Sequence, residues 1–511
     1  MVVLFSVTSV PTVQTFLAQK IANKFNKQYG TEVQINTAEL NLSGNIDLNN
    51  FLVIDHKSDT LIYFSSLNLS PRSLKKLISN DLNFNSIEFN GLQLNLIKYI
   101  SEDKTNLEIF LDKSNNQKKP VNIGTSLNFE IKNIIGFNSN ISFKDYNSLG
   151  NNFILSDLNI DFSNMKLFEN NLNFDINNIN YKNDLGFSLK EFSSNLIINK
   201  KDFYLNDIEF HYEKSILKGD LYIDFSKINN ENSINIAGLD SVYLDFKISD
   251  SKINPSDFSI IYDKIDKTYS DSWNLKSDIN GFISNLKINN TILSNNDNLI
   301  EFDAKLSNIF SGRDDYLLDF KFDKIKTSSQ TINSIFPEVF GTIIPTSTKS
   351  LGKFDFNGNA LINSYEVKSN FNLEIQEGNV NAFLKISDLS NIDNAIYTGY
   401  VEGKNLDISK FVNFKLIGNS NFKLNINGRG FTSKYLNSQV TGKIEEISFN
   451  NKIFQKLEIF GQVKDQVFDG KLTLNDPNLN LDFSGLIDFS NDLIDFDFNS
   501  SIKFAKLFNL G

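Results

Sequence analysis

The sequence predicts an all-β protein whose strands pair antiparallel, with an N-terminal helix and a few short helices. Three observations carry that expectation. Apolar and polar residues alternate through most of the chain, and period two is the signature of strands with one apolar and one polar face. The linking segments are short and rich in Asn, Asp, Ser and Gly, such as NNEN and SNNDN, residues that supply turns. Only 7 prolines punctuate 511 residues, and no Gly/Ser-rich or Pro-rich linker divides the chain into separate beads. Antiparallel pairing suits one-sided alternation, because parallel sheets are covered on both faces and read as continuous apolar runs.

The first ten residues, MVVLFSVTSV, carry no charge. As a helix, the run containing Val2, Val3, Leu4, Phe5, Val7 and Val10 rises only ~15 Å, about half of a bilayer's hydrocarbon core. It reads as the end of a membrane anchor that begins upstream. The other reading is the tail of a signal peptide, but no A-x-A site or positive n-region accompanies it. After Pro11, Val13, Phe16, Leu17, Ile21 and Phe25 recur at spacings of three and four, while Gln14, Gln19, Lys20, Asn23, Lys24 and Lys27 cover the other side. Pro11 suits the start of such a helix and Gly30 its end. This helix either closes one end of a sheet or lies on a membrane surface. Short helices are expected in PRSLKKLISN, from Pro71, and in SSQTINSIFPEVF, residues 328 to 340, broken at Pro337.

Strands follow. Val242, Leu244, Phe246 and Ile248 share one face of SVYLDFKIS. Phe422, Leu424 and Ile426 share one face of NFKLNINGRG, and Ile494, Phe496, Phe498, Ile502 and Phe504 one face of LIDFDFNSSIKF. The expected layout is an N-terminal helical segment (1–30), a first strand-rich region (31–335), a boundary segment (336–352) and a second strand-rich region (353–511). Turns every ~12 residues give roughly 40 strands, spanning up to about 190 Å side by side. So many strands must curl, split or close. Alternation alone therefore fits stacked sandwiches, a barrel, or a long curled sheet with an apolar concave face.

Chemistry is sparse. A net charge of −11 argues against a nucleic-acid partner, which needs a basic face. The absence of cysteine removes disulfides, thiol catalysis and thiolate metal sites. No nucleophile elbow, Walker-type loop or dinucleotide fingerprint occurs, and no cofactor or metal is expected. His56, in VIDHKSDTLIY, reads as part of a polar turn with Asp supplying local hydrogen bonds, rather than as a metal ligand. His211, in EFHYEK, reads as a surface strand residue. NGRGF, residues 427 to 431, reads as a glycine turn rather than a phosphate loop. The expectation is a protein that is not an enzyme.

Several stretches together resemble the TamB-like proteins of the Bacteroidetes. VPTVQTFLAQKIANKFNKQYGTEVQI, with Pro11, Gln14 and the Gly30–Thr31 step, is similar to their start. VIDHKSDTLIYFSSLNLSP, with Asp55, Asp59, Thr60, Leu61 and Tyr63, is similar to the next block. YTGYVEGKNLDISKF, residues 397 to 411, resembles their repeating strand unit. GKLTLNDPNLNLDFSGLIDFSN, residues 470 to 491, resembles it most closely, with Asp476, Pro477, Asn478, Phe483, Gly485 and Asp488. Residues 140 to 330 match only in strand rhythm. The resemblance implies an AsmA-like, bridge-like fold: a long curled β-taco sheet with an apolar groove, anchored in the inner membrane and extending across the periplasm. It implies a role in outer-membrane biogenesis, with phospholipid acyl chains as cargo and a barrel partner at the outer membrane. The three apolar rows above would then line the groove, and the chain would be a segment of a longer protein. The competing readings are an assembly factor for outer-membrane proteins and a structural or adhesive β-sandwich array.

Overall fold

The computed structural model describes residues 10–29, 31–78, 83–115, 128–148, 152–169, 171–183, 187–227, 240–260, 265–310, 314–335, 352–388, 393–411, 416–431, 435–490 and 494–510. The chain forms two compact units, Met1–Asn229 and Asn230–Gly511. Val2, Val3, Leu4, Phe5, Val7, Gly30 and Pro337 lie outside the described residues, as does the boundary segment except Gly352. Among the described residues no helix is long and apolar enough to cross a membrane.

The first unit opens with helix α1 (Pro11–Tyr29), ending just before Gly30. Eleven strands follow: β1 (Glu32–Leu40), β2 (Ile46–Ile54), β3 (Thr60–Pro71), β4 (Phe84–Asn90), β5 (Gln93–Lys98), β6 (Phe129–Asp145), β7 (Phe153–Phe168), β8 (Asn171–Asn183), β9 (Ser188–Ile198), β10 (Asp202–Tyr212) and β11 (Ser215–Asp224). Helix α2 (Leu74–Ile78) occupies the stretch after Pro71, as expected, and α3 (Asn106–Asn115) follows β5.

Two pairings correct the antiparallel expectation. β4 and β5 both run parallel to β6, while β3 pairs antiparallel with each of them. β4 and β5 thus act as one strand interrupted at Gly91 and Leu92. The chain then crosses back through α3, as a parallel pair requires. Helix α3 starts with a reciprocal cap: the Glu108 N–H donates to Thr105 Oγ1 (3.3 Å) and the Thr105 N–H to Glu108 Oε2 (2.7 Å).

Helix α1 closes the outer edge of β1. An unpaired edge presents backbone donors and acceptors to any passing strand. Here side chains of the helix take them. Leu40 donates its N–H to Gln14 Oε1 (2.7 Å), and Gln14 Nε2 donates to the Leu40 carbonyl (3.3 Å). Thr15 Oγ1 accepts from Ala38 N–H (3.0 Å) and donates to its carbonyl (3.1 Å). Asn26 does the same for Val33, at 2.7 and 2.8 Å. Gln19 donates to the Ile35 carbonyl (3.0 Å).

The second unit holds β12 (Tyr243–Ile253), β13 (Trp273–Phe282), β14 (Asn285–Ser294), β15 (Leu299–Ser307), β16 (Leu317–Ser328), β17 (Lys353–Asn363), β18 (Glu366–Ile375), β19 (Gly378–Ser387), β20 (Ile396–Asp407), β21 (Ile417–Arg429), β22 (Asn437–Phe449), β23 (Lys452–Lys464), β24 (Val467–Asn475), β25 (Leu479–Asp488) and β26 (Asp495–Ala505). Each pairs antiparallel with the next. Helix α4 (Ser329–Ile335) follows β16, and α5 (Leu507–Leu510) follows β26. The expected boundary does not separate one sheet from another, since β16 and β17 on either side of it are hydrogen-bonded neighbours. Arg429 still belongs to β21, and the glycine turn begins at Gly430, φ +75°.

The 26 described strands correct the expectation of roughly 40, which assumed a turn every ~12 residues; many strands are longer than that spacing allows, and several run through an Asn or Asp bulge. In β6, β10, β14 and β20 one extra residue enters between paired positions. It is Asn138, Asp207, Asn290 or Asn405, each at φ between 48° and 53°, a region Asn and Asp tolerate. In every case the single residue opposite accepts the bulge N–H: Asn159 Oδ1 (3.0 Å), Asp220 Oδ1 (2.8 Å), Asp303 Oδ1 (2.8 Å) and Asn421 Oδ1 (2.6 Å). The residue after the bulge, Ser139, Ile208, Thr291 or Leu406, is buried, so the inward parity resumes at once. Replacing Asp303 by Ala should cost about 1 kcal/mol in equilibrium urea unfolding. Asp303→Asn, which keeps the acceptor, should stay within about 0.5 kcal/mol. Equal losses in the two variants would show that the bulge cap contributes nothing.

Candidate apolar face

Residues directly opposite one another in adjacent strands point to the same face. Following the pairs through the second unit from Phe246 gives Ile279, Ile288, Ala304, Phe320, Ala360, Ser369, Leu384, Gly399, Ile426, Val440, Gly461, Gly470, Gly485 and Phe498. This row crosses all fifteen strands and contains no charged residue. A second row runs beside it from Leu244 to Phe496, and another from Ser251 through Gly403, Phe422 and Ile444 to Ile502, equally free of charge. A fourth, from Phe302 through Leu424 to Ser500, covers β15 to β26. At ~4.8 Å between strands and ~6.7 Å between rows, the face measures about 67 by 20 Å along the ladder.

The three short rows read from sequence therefore lie on one surface. Leu244, Phe246, Ile248, Phe422, Leu424, Ile426, Phe496, Phe498 and Ile502 all belong to it. Val242, 2% exposed, immediately precedes β12, and Ile494 immediately precedes β26. Phe504 departs from the row: the register shifts between Asn480 and Leu481, and Phe504 stands opposite Asn480. In several other strands of the face Gly, Ala or Ser occupies an apolar position, as Ala360, Ser369, Gly399 and Gly461 do. The usable signal was glycine at the apolar parity, as in IFGQV and FDGKL.

Most of this face is neither buried nor free. In the row from Phe246 to Phe498, Ala304 is buried, Phe498 is 48% exposed and the residues between are half-buried. The buried clusters draw on consecutive strands rather than on a facing sheet. One joins Trp273 and Ile300 to Ile332 and Ile335 of α4, flanked by residues of β12 to β17. Another joins Leu406, Phe422, Ile444 and Ile447, flanked by residues of β18 to β23 and by Ile408 and Phe411 beyond β20. Glycines give aromatic rings room to lie flat on the sheet. A Cβ on Gly461 would come within 2.4 Å of the Phe468 ring. The opposite face carries the charge, including the cross-strand pair Lys443–Glu458 (3.4 Å).

The first unit has its own charge-free row, Leu40, Ile46, Leu69, Ile87, Ile134, Phe162, Ile176 and Ser194. The polar turn expected at His56 is present there. Asp55 Oδ1 accepts the N–H groups of Lys57 (2.8 Å) and Asp59 (3.0 Å). Its Oδ2 accepts from Tyr99 Oη (2.8 Å) and from Asn106 Nδ2 (2.9 Å) at the start of α3. Asn106, fully buried, also accepts the Ile97 N–H (2.9 Å). His56 Nε2 faces Glu102 at 3.0 Å. Among the described residues no cluster could hold a metal ion. His211 bonds Glu209 (2.8 Å) on its own strand. No protein-family profile, curated protein or solved structure matches this chain.

Burial pushes the Asp55 carboxyl up, but hydrogen bonds from Asn106, the Lys57 and Asp59 N–H groups and Tyr99 outweigh it and hold it below the usual value. A depressed carboxylate contributes stability above its unfolded pKa, near ~3.9, and loses it as pH falls through the lower folded value. Urea midpoints measured from pH 7 down to pH 2 should therefore fall less steeply in Asp55→Asn than in the parent, from a lower starting point at pH 7. Parallel curves would remove Asp55 from the acid limb.

Proposed function

We propose that the chain conducts phospholipid between two membranes, with acyl chains sliding over the apolar face and head groups in water beside it. The observation that carries this reading is a charge-free, half-buried face continuous across fifteen strands of the second unit. Surface of that kind in a monomer marks a site of interaction, and its extent suits a mobile chain better than a compact ligand. Burial stabilises an acyl chain by roughly 0.8 kcal/mol per CH₂. Transfer needs no catalytic group, only an unbroken apolar path and a sink at the far end. The resemblance to TamB-like proteins supplies the setting: a body in the periplasm, an attachment at the inner membrane and a role in outer-membrane biogenesis.

An assembly factor for outer-membrane proteins would use strand edges. Four charge-free rows running across the strands favour a face over an edge. A sandwich array would bury the apolar rows against a second layer, whereas most residues of these rows are only half-buried.

Phe246→Asp, Leu424→Asp and Phe498→Asp separate the readings. A carboxylate beside an open face still reaches water, so the variants should fold, keep their circular dichroism melts and retain several-fold less phospholipid by mass spectrometry. In a closed core the same charge would cost several kcal/mol and the fold. Unfolded variants, or folded ones with undiminished lipid, would reject the conduit.

A further inference from the structure

We propose that the outward face of α1 docks on an anionic lipid surface. The helix turns its polar side toward the protein: Gln14, Thr15, Gln19 and Asn26 are committed to the backbone of β1. At 100° per residue the opposite side carries Phe16, Leu17 and Ile21 together with Lys20, Lys24 and Lys27. Phe16 is 61%, Leu17 45% and Ile21 70% exposed, and the three lysines are exposed as well. Lys20 Nζ lies 5.7 Å from the Phe16 ring centroid, so cation and apolar group share one surface. The helix has no acidic residue, in a chain of net charge −11.

An apolar strip beside lysines, on a helix too polar to cross a bilayer, is the arrangement of an interfacial helix. Charge selects the occupant. A second copy would bring three lysines against three lysines, whereas anionic head groups complement them. The edge cap and the docking face use different side chains, so the helix can serve both. The proposal goes beyond lipid conduction and does not depend on it.

The test is flotation of the full chain with vesicles of phosphatidylglycerol and phosphatidylethanolamine, and with vesicles of phosphatidylcholine alone. Binding should favour the anionic vesicles. Replacing Lys20, Lys24 and Lys27 together by Gln should weaken it about 100-fold, at roughly fivefold per lysine. Replacing Phe16, Leu17 and Ile21 together by Ser should weaken it at least tenfold. Both variants should retain parental phospholipid loading of the apolar face, which separates a failure here from a failure of the conduit. Because the chain lacks cysteine, Leu17→Cys carrying an environment-sensitive dye gives a second readout that does not depend on how the triple variants fold. Its emission should shift to the blue on anionic vesicles. Undiminished flotation of folded triple variants, or no shift of the dye, overturns the proposal.

Discussion

Everything in these sheets depends on parity. In a strand the side-chain period is two, so a slip of one residue exchanges the faces. A surface that stays free of charge over fifteen strands requires every hairpin and every irregularity to return the chain to the same parity. The bulges of β6, β10, β14 and β20 show how an extra residue is absorbed. A left-handed Asn or Asp takes up the added length, and an Asn or Asp on the facing strand holds its N–H. Without that local solution the added residue would turn Ile208 or Leu406 toward the charged side.

The same constraint limits how the sheet is stabilised. The apolar rows gain contact mainly from neighbours in adjacent strands. Aromatic rings laid over glycine are an efficient form of this, as Phe468 over Gly461 and Phe422 over Gly403. Short helical turns beyond β16 and β20 add Ile332, Ile335, Ile408 and Phe411 at the margin of the face. Ion pairs on the other face, such as Lys443–Glu458, are exposed and contribute little energy each. Their value lies in keeping a one-sided apolar sheet dissolved.

How much of this was legible in the sequence follows from the physics of each feature. Alternation was legible wherever large apolar residues mark it, so Phe246, Phe422 and Phe498 identified their strands. Their meeting on one face was implied only by the resemblance and not by the alternation, because register depends on hairpin lengths and bulges that the pattern does not state. The Asn and Asp bulges were not legible, since the left-handed conformation that suits a turn also suits a bulge. Helix α3 was missed, although Thr105–Asn106–Leu107–Glu108 is a capping box. The short apolar run after it gave too weak a period. The helical period of α1 was legible, but not the make-up of its faces: Gln14, Thr15, Gln19 and Asn26 turn to the sheet edge, which needs hydrogen-bonding partners, and Lys20, Lys24 and Lys27, read as lying opposite the apolar side, share the outward face with Phe16, Leu17 and Ile21.

A face that carries moving chains has a different requirement from one that holds a fixed ligand. A pocket gains from a deep minimum, whereas a path gains from evenness, because each deep minimum is a step the cargo must leave. The apolar rows have this quality. Where one strand offers Phe its neighbour often offers Gly, as in Phe371 opposite Gly358, Phe422 opposite Gly403 and Phe498 opposite Gly485. At Gly403 the Phe422 ring lies over the gap beside it, which lowers the relief of the face there. Buried hydroxyls on this side are internally satisfied, as in the Ser277–Thr291 pair at 2.8 Å, so they offer no free polar group to arrest a passing chain. On the proposed role, the low complexity of the face, with Phe, Ile, Leu, Val and Gly recurring and no distinctive constellation, is therefore what the function requires.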